Sequence, residues 1–118
     1  MRHPSPRMLK VNSTLREVIA GEVERFGDSR VGMVSVTSVD TAPNLRHAVV
    51  YVAVLDPDHR QAALDALQSV AYRIQSAIAS QVRIKYTPTL EFQIDQGVVA
   101  GERMEALLRS IRKGQEEE

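Results

Sequence analysis

The eight residues Ala48-Val49-Val50-Tyr51-Val52-Ala53-Val54-Leu55 are the longest uninterrupted apolar run in the chain, and the rest of the fold must be built around them. The run is far too short to span a bilayer, which takes about 20 apolar residues in helical form. Its β-branched content favours a strand, read here from Arg46 to Leu55. Ala48, Val50, Val52 and Val54 then lie on one face, and Val49, Tyr51 and Ala53 on the other. A strand that is apolar on both sides is central in its sheet or has its second face partly covered.

The flanking segments supply the neighbours. Val31 to Asp40 is rich in valine, serine and threonine and reads as a strand, with Thr41-Ala42-Pro43-Asn44 turning the chain between the two. Upstream, Met8, Val11, Leu15, Val18, Ile19, Val23 and Phe26 recur at helical spacing, and Gly27-Asp28 is read as the stop. Downstream, Asp56-Pro57-Asp58 ends the strand and offers an aspartate cap with a proline to start a helix. Ala63, Leu67, Val70, Ile74, Ala77 and Ile78 carry one stripe from about His59 to Ser80, a length that leaves room for a kink. Val82-Arg83-Ile84-Lys85-Tyr86 alternates and is read as a third strand, resuming at Leu90, Phe92 and Ile94 after Pro88, with an edge position or a bulge at the proline. A short last helix, Gly101 to Arg112, bears Met104, Leu107, Leu108 and Ile111. The predicted architecture is α+β, a three-stranded sheet with helices on one face.

Catalytic chemistry finds little footing. No cysteine is present, so there are no disulfides, thiolate metal sites or thiol nucleophile, as suits a reducing cytoplasm. His3, His47 and His59 have no second ligand at metal-binding spacing. No serine sits between the glycines of a nucleophile elbow. The six glycines leave the whole stretch between Met33 and Gln96 empty, and no phosphate-cradling loop can be written. The expectation is a protein without enzymatic activity, metal or cofactor.

Charge is more informative. Formal net charge is zero over 118 residues, but it is unevenly laid out. Residues 1–16 hold Arg2, Arg7, Lys10 and Arg16 without an acid, and residues 66–90 hold Arg73, Arg83 and Lys85 without an acid. Two acid-free basic segments in one small domain can converge on a positive patch that neutralises phosphates. Only Phe26, Tyr51, Tyr72, Tyr86 and Phe92 are aromatic, and Tyr86 falls with Val82 and Ile84 on the face read as buried. Shape and backbone recognition therefore fits better than stacking on an aromatic sheet.

Several segments together resemble the ribosome-binding factor A family. They are the first helix with Arg7, Val11 and Glu22; Val36-Thr37-Ser38-Val39; Leu45 through Val52; and above all Val82-Arg83-Ile84-Lys85-Tyr86-Thr87-Pro88-Thr89-Leu90-Glu91-Phe92 with Asp95. Gly101-Glu102-Arg103-Met104 and Leu107-Leu108 continue the likeness, which spans about residues 7–110. It implies a type II KH-like domain, helix–strand–strand–helix–helix–strand, over residues 8–112, after a flexible lead-in at 1–7 and before an acidic polar tail at 113–118. It also implies a cytoplasmic, monomeric assembly factor without enzymatic activity, which binds the free 30S subunit or its precursor. That factor promotes maturation of the 5′ end of 16S ribosomal RNA, matters for growth in the cold, and works beside assembly GTPases, with no membrane partner. The predicted RNA contacts are Arg83 and Lys85 from the third strand, Arg73 from the preceding helix, and Arg46, Arg7 and Lys10. Where the family carries an alanine-x-glycine kink, this chain reads Val70-Ala71-Tyr72. The competing reading is a small dimeric interaction or ligand-sensing domain, joined through Val49, Tyr51 and Ala53.

Overall fold

The apolar run becomes the middle strand of a mixed sheet. The computed structural model describes residues 5–25 and 34–116. In chain order it runs α1 (Pro6–Glu24), β1 (Val34–Thr41), β2 (His47–Val54), a 3-10 turn (Pro57–His59), α2 (Arg60–Ser69), α3 (Ala71–Gln81), β3 (Thr89–Ile94) and α4 (Gln96–Glu116). The strand order is β1-β2-β3, with β1 antiparallel to β2 and β3 parallel to it. Ala48, Val50, Val52 and Val54 are buried, as their alternation predicts, beside Leu90 and Phe92 of β3. Leu15, Ile19 and Val23 of α1, Ala63 and Leu67 of α2, and Ile74 and Ile78 of α3 complete the same core. Helices α1–α3 thus cover one face, while Val49, Tyr51 and Ala53 stay half-buried on the other.

Helix α1 starts two residues before Met8 because Ser5 and Pro6 form a cap. The Ser5 hydroxyl accepts from the Met8 N–H at 3.2 Å, and Pro6 takes the first helical position, where its missing N–H costs nothing. The Gly27-Asp28 stop and Val31–Met33 lie outside the described residues.

The long helical stretch divides at Val70, as the resemblance implies, without a glycine. Val70 has φ −113° and ψ 8°, a conformation open to any L-residue because φ is negative. Its N–H reaches the Leu67 carbonyl at 3.2 Å, and its own carbonyl accepts from Arg73 at 2.9 Å and Ile74 at 3.4 Å. Two glutamines, one on each side of the break, reach one strand. Gln68 donates Nε2–H to the Leu90 carbonyl at 3.0 Å and accepts from the Phe92 N–H at 3.3 Å. Gln75 Oε1 accepts from the Leu90 N–H at 3.2 Å.

The third strand is shorter than its alternation suggests, beginning only at Thr89. Val82 and Ile84 do pack against the core while Arg83 and Lys85 are exposed, but Val82–Tyr86 pairs with none of the described strands. The register His47↔Thr89, extended backward, would put residues 82–86 opposite 40–44, where the chain leaves β1 and turns. Pro88, moreover, has no N–H to give. Arg83 and Lys85 therefore stand on an extended connection before β3, not on a strand.

Helix α4 begins five residues ahead of Gly101 and runs past Arg112 to Glu116. Asp95 starts it: Oδ1 accepts from the N–H of Gly97 at 2.9 Å and of Val98 at 3.4 Å. Its Oδ2 accepts from the Thr37 hydroxyl at 2.7 Å. Thr37 stands at a bulge between Val36 and Ser38, and its hydroxyl also lies 3.2 Å from the Tyr51 carbonyl. An ion pair between Arg60 and Glu102 ties α4 to the start of α2. Beyond it, Met104, Leu107, Leu108 and Ile111 remain 43–55% exposed.

The Thr37 hydroxyl, opposed next by burial and then aided by the Gly97 and Val98 amides, holds the Asp95 carboxyl below its ordinary 3.8. A depressed folded-state pKa stabilises the fold above the unfolded value and ceases to as pH falls through the folded one. Asp95→Asn keeps one oxygen to accept from the Gly97 and Val98 amides, but puts an NH2 donor where the other oxygen faced Thr37 and loses the charge. Its melting temperature is expected to fall below wild type at pH 6, and the gap to narrow as pH drops below 3.8 and through the lower folded-state value. A constant gap across that range in thermal melts would show that the charge plays no part.

Candidate functional site

The turn between β1 and β2 shapes one end of the molecule. The Ala42 N–H donates to the His47 carbonyl, and the Leu45 N–H to the Ala42 carbonyl, each at 2.8 Å. Leu45 is held at φ 63°, in the left-handed region that residues with a Cβ rarely occupy. Its side chain is nonetheless buried, at 9% exposure. The next residue, Arg46, donates its N–H to Asn44 Oδ1 at 3.0 Å and lays its guanidinium over the Tyr86 ring, 4.3 Å from the centroid. Lys85 Nζ lies 5.4 Å from the same centroid. Both distances lie within cation–π range.

Around this pair the start of α1, the turn and the connection before β3 enclose a hollow of about 580 Å³, whose walls include Arg7, Met8, Leu45, Arg46, Lys85 and Tyr86. A smaller hollow of about 270 Å³ adjoins it, sharing Arg7 and adding Lys10, Arg83, Val11 and Ile84. Five of the six predicted contact residues, Arg7, Lys10, Arg46, Arg83 and Lys85, are thus brought together from three separate parts of the chain. Among the described residues, no acid lines either hollow, and none of the five cations forms an ion pair. Five cations without an ion pair among the described residues, set around a concave surface, suit a polyanion.

Arg73 is not brought to this end. It stands in the first turn of α3, exposed, with its guanidinium 6.0 Å from the Tyr72 ring. Gln81, which lines the smaller hollow, is eight residues further on, about 12 Å along the helix axis. Tyr86 departs from its sequence reading, being 37% exposed on the wall of the larger hollow. The sequence signal for it was Tyr86-Thr87-Pro88: Pro88 is fully buried, which ends the alternation and frees Tyr86 from it. Among the described residues, no group of three His, Cys, Asp or Glu side chains gathers as a metal site. None of the described helices is long and apolar enough to cross a membrane.

The family model for ribosome-binding factor A matches residues 7–108, a stretch that contains every residue of both hollows except Ser5. The chain belongs to the ribosome-binding factor A family. The ribosome-binding factor A of Rubrobacter xylanophilus is 39% identical over 106 residues, covering 89% of this chain and 87% of that protein. The crystal structure of ribosome-binding factor A from Thermus thermophilus superposes with a TM-score of 0.69 at 26% identity, over 74% of this chain and 94% of that one. A homology model of Thermus thermophilus ribosome-binding factor A, fitted into the cryo-EM map of a 30S complex, matches with a TM-score of 0.62 at 27% identity. That match covers 72% of this chain and 91% of the other. The fold shared with these ribosome-binding factor A structures is KH-like.

Proposed function

We propose that this protein is an assembly factor that binds the free small ribosomal subunit or its precursor through the cationic end formed by Arg7, Lys10, Arg46, Arg83 and Lys85. The observation that carries the reading is the convergence of those five cations on two adjoining acid-free hollows. It is supported by the match to a Thermus thermophilus homologue fitted into a 30S complex. Arg73 would take part only as a separate contact, from the helix break. Phosphate contacts position a protein without reading sequence, so selectivity comes from RNA shape. The protein acts without catalysis or cofactor, in the cytoplasm, as a monomer. We extend the reading to maturation of the 5′ end of 16S ribosomal RNA, to growth in the cold and to cooperation with assembly GTPases.

Sedimentation with purified small subunits, large subunits and joined ribosomes over a salt series tests this. Selective pelleting with free small subunits is expected. If all five cations meet phosphates, affinity should fall by about 100- to 500-fold between 50 and 200 mM salt. No association with any ribosomal species at low salt would overturn the reading.

The dimeric interaction domain keeps one observation in its favour, the exposed stripe Met104, Leu107, Leu108 and Ile111 on α4. Light scattering separates the two: a monomer mass supports the assembly factor, a dimer mass its rival.

A further inference from the structure

We propose that the larger hollow receives one unpaired nucleotide of the bound RNA, its base packing against the Arg46–Tyr86 pair and its phosphates facing Arg7 and Lys85. This rests on the RNA-binding reading above and adds to it a specific place for a base.

Size, composition and rigidity support it. The hollow, at about 580 Å³, falls within the range of about 300–1,000 Å³ usual for small-ligand clefts. Its walls mix three cations with Met8, Leu45 and Tyr86, a combination matched to a flat apolar base joined to an anionic phosphate. The adjoining hollow has cations and aliphatic side chains but no aromatic ring among its described residues, and so is suited to phosphate alone. Bases released from pairing stack on aromatic rings and on guanidinium planes, and the wall holds one of each, the Arg46 guanidinium lying over one face of the Tyr86 ring 4.3 Å from its centroid.

The wall is also built in advance. Pro88, fully buried, anchors the chain two residues beyond Tyr86. On the opposite side, Leu45 holds a strained φ of 63°, and the Asn44 side chain fixes the Arg46 backbone at 3.0 Å. Residues held in sparsely populated conformations gather at ligand clamps. The turn gives up conformational freedom to keep Arg46 over the ring. Recognition therefore differs from the pure backbone mode that the scarcity of aromatics suggested: one ring, at one end, takes one base.

The experiment measures affinity of the full chain for free small subunits across a salt series, using wild type, Tyr86→Leu and Tyr86→Phe. Tyr86→Leu should lose about 5- to 150-fold, the usual worth of one stacked base, with the salt slope unchanged because no phosphate contact is removed. Tyr86→Phe should bind like wild type. Equal binding by Tyr86→Leu overturns the proposal. So does a loss with a shallower slope, which would mean that the ring only positions Arg46 and Lys85. Ultraviolet crosslinking of the wild-type complex gives an independent readout. A nucleotide adduct on Tyr86 supports the proposal, and its absence overturns it. If wild type itself fails to bind small subunits, it is the RNA-binding reading that has failed.

Discussion

With Arg83 and Lys85 both replaced by glutamate, the protein is expected to lose its association with small ribosomal subunits while keeping its fold. The two side chains are exposed and contribute to neighbouring hollows, Arg83 to the smaller and Lys85 to the larger. A charge-assisted contact is worth about 1.5–3 kcal/mol, so two of them amount to about 3–6 kcal/mol, or roughly 10²–10⁴ in affinity, before the added repulsion. Neither side chain belongs to the core, and surface changes of this kind usually shift stability by only about 0.5 kcal/mol. Co-sedimentation and a thermal melt of the same preparation measure both halves. Undiminished pelleting would remove these two residues from the interface, and a collapsed melt would mean that the connection before β3 matters to the fold.

Ile74→Ala should be the most damaging single change to stability among those considered. Ile74 is fully buried, one turn after the break, where α3 meets α1 and β3. Truncating such a side chain removes transferred apolar surface and leaves a cavity, at a cost of about 2–5 kcal/mol. A domain of this kind has about 5–15 kcal/mol in all, so the loss is a substantial share. Urea unfolding should show a lower midpoint at unchanged slope, with Ser76→Ala, on the exposed side of α3, close to wild type. A loss below about 1 kcal/mol would mean that α3 does not seal the core as its burial implies.

Much of the fold was legible because burial and periodicity agree. The alternation Ala48, Val50, Val52, Val54 named the inner face of β2, and the stripe Leu15, Ile19, Val23 named that of α1. Val82–Tyr86 misled because alternation records which side chains are buried, not whether the backbone has a partner. Val82 and Ile84 pack inward from a segment whose would-be partners are already turning away. The length of α4 was hidden by Gly97 and Gly101, which suggest a loop, while the cap that starts the helix depends on Asp95 meeting a bulge 58 residues earlier. The site was legible as charge but not as shape. Five cations could be named from two acid-free segments and the start of β2, yet only the turn at Leu45 shows that Arg46 reaches Tyr86. Arg73 belonged to the same acid-free segment as Arg83, and the length of α3 holds it apart.

Gln68 and Gln75 have a consequence for how this protein behaves among other chains. They occupy the hydrogen-bonding positions of Leu90 and Phe92 that an additional strand would use. An open strand margin is a template on which another extended polypeptide, or a second copy of the same molecule, can be recruited. Here two side-chain amides, one from each side of the helix break at Val70, stand in for that guest. The sheet is finite on that side. Crowded copies are kept from adding a strand along Leu90 and Phe92 of β3.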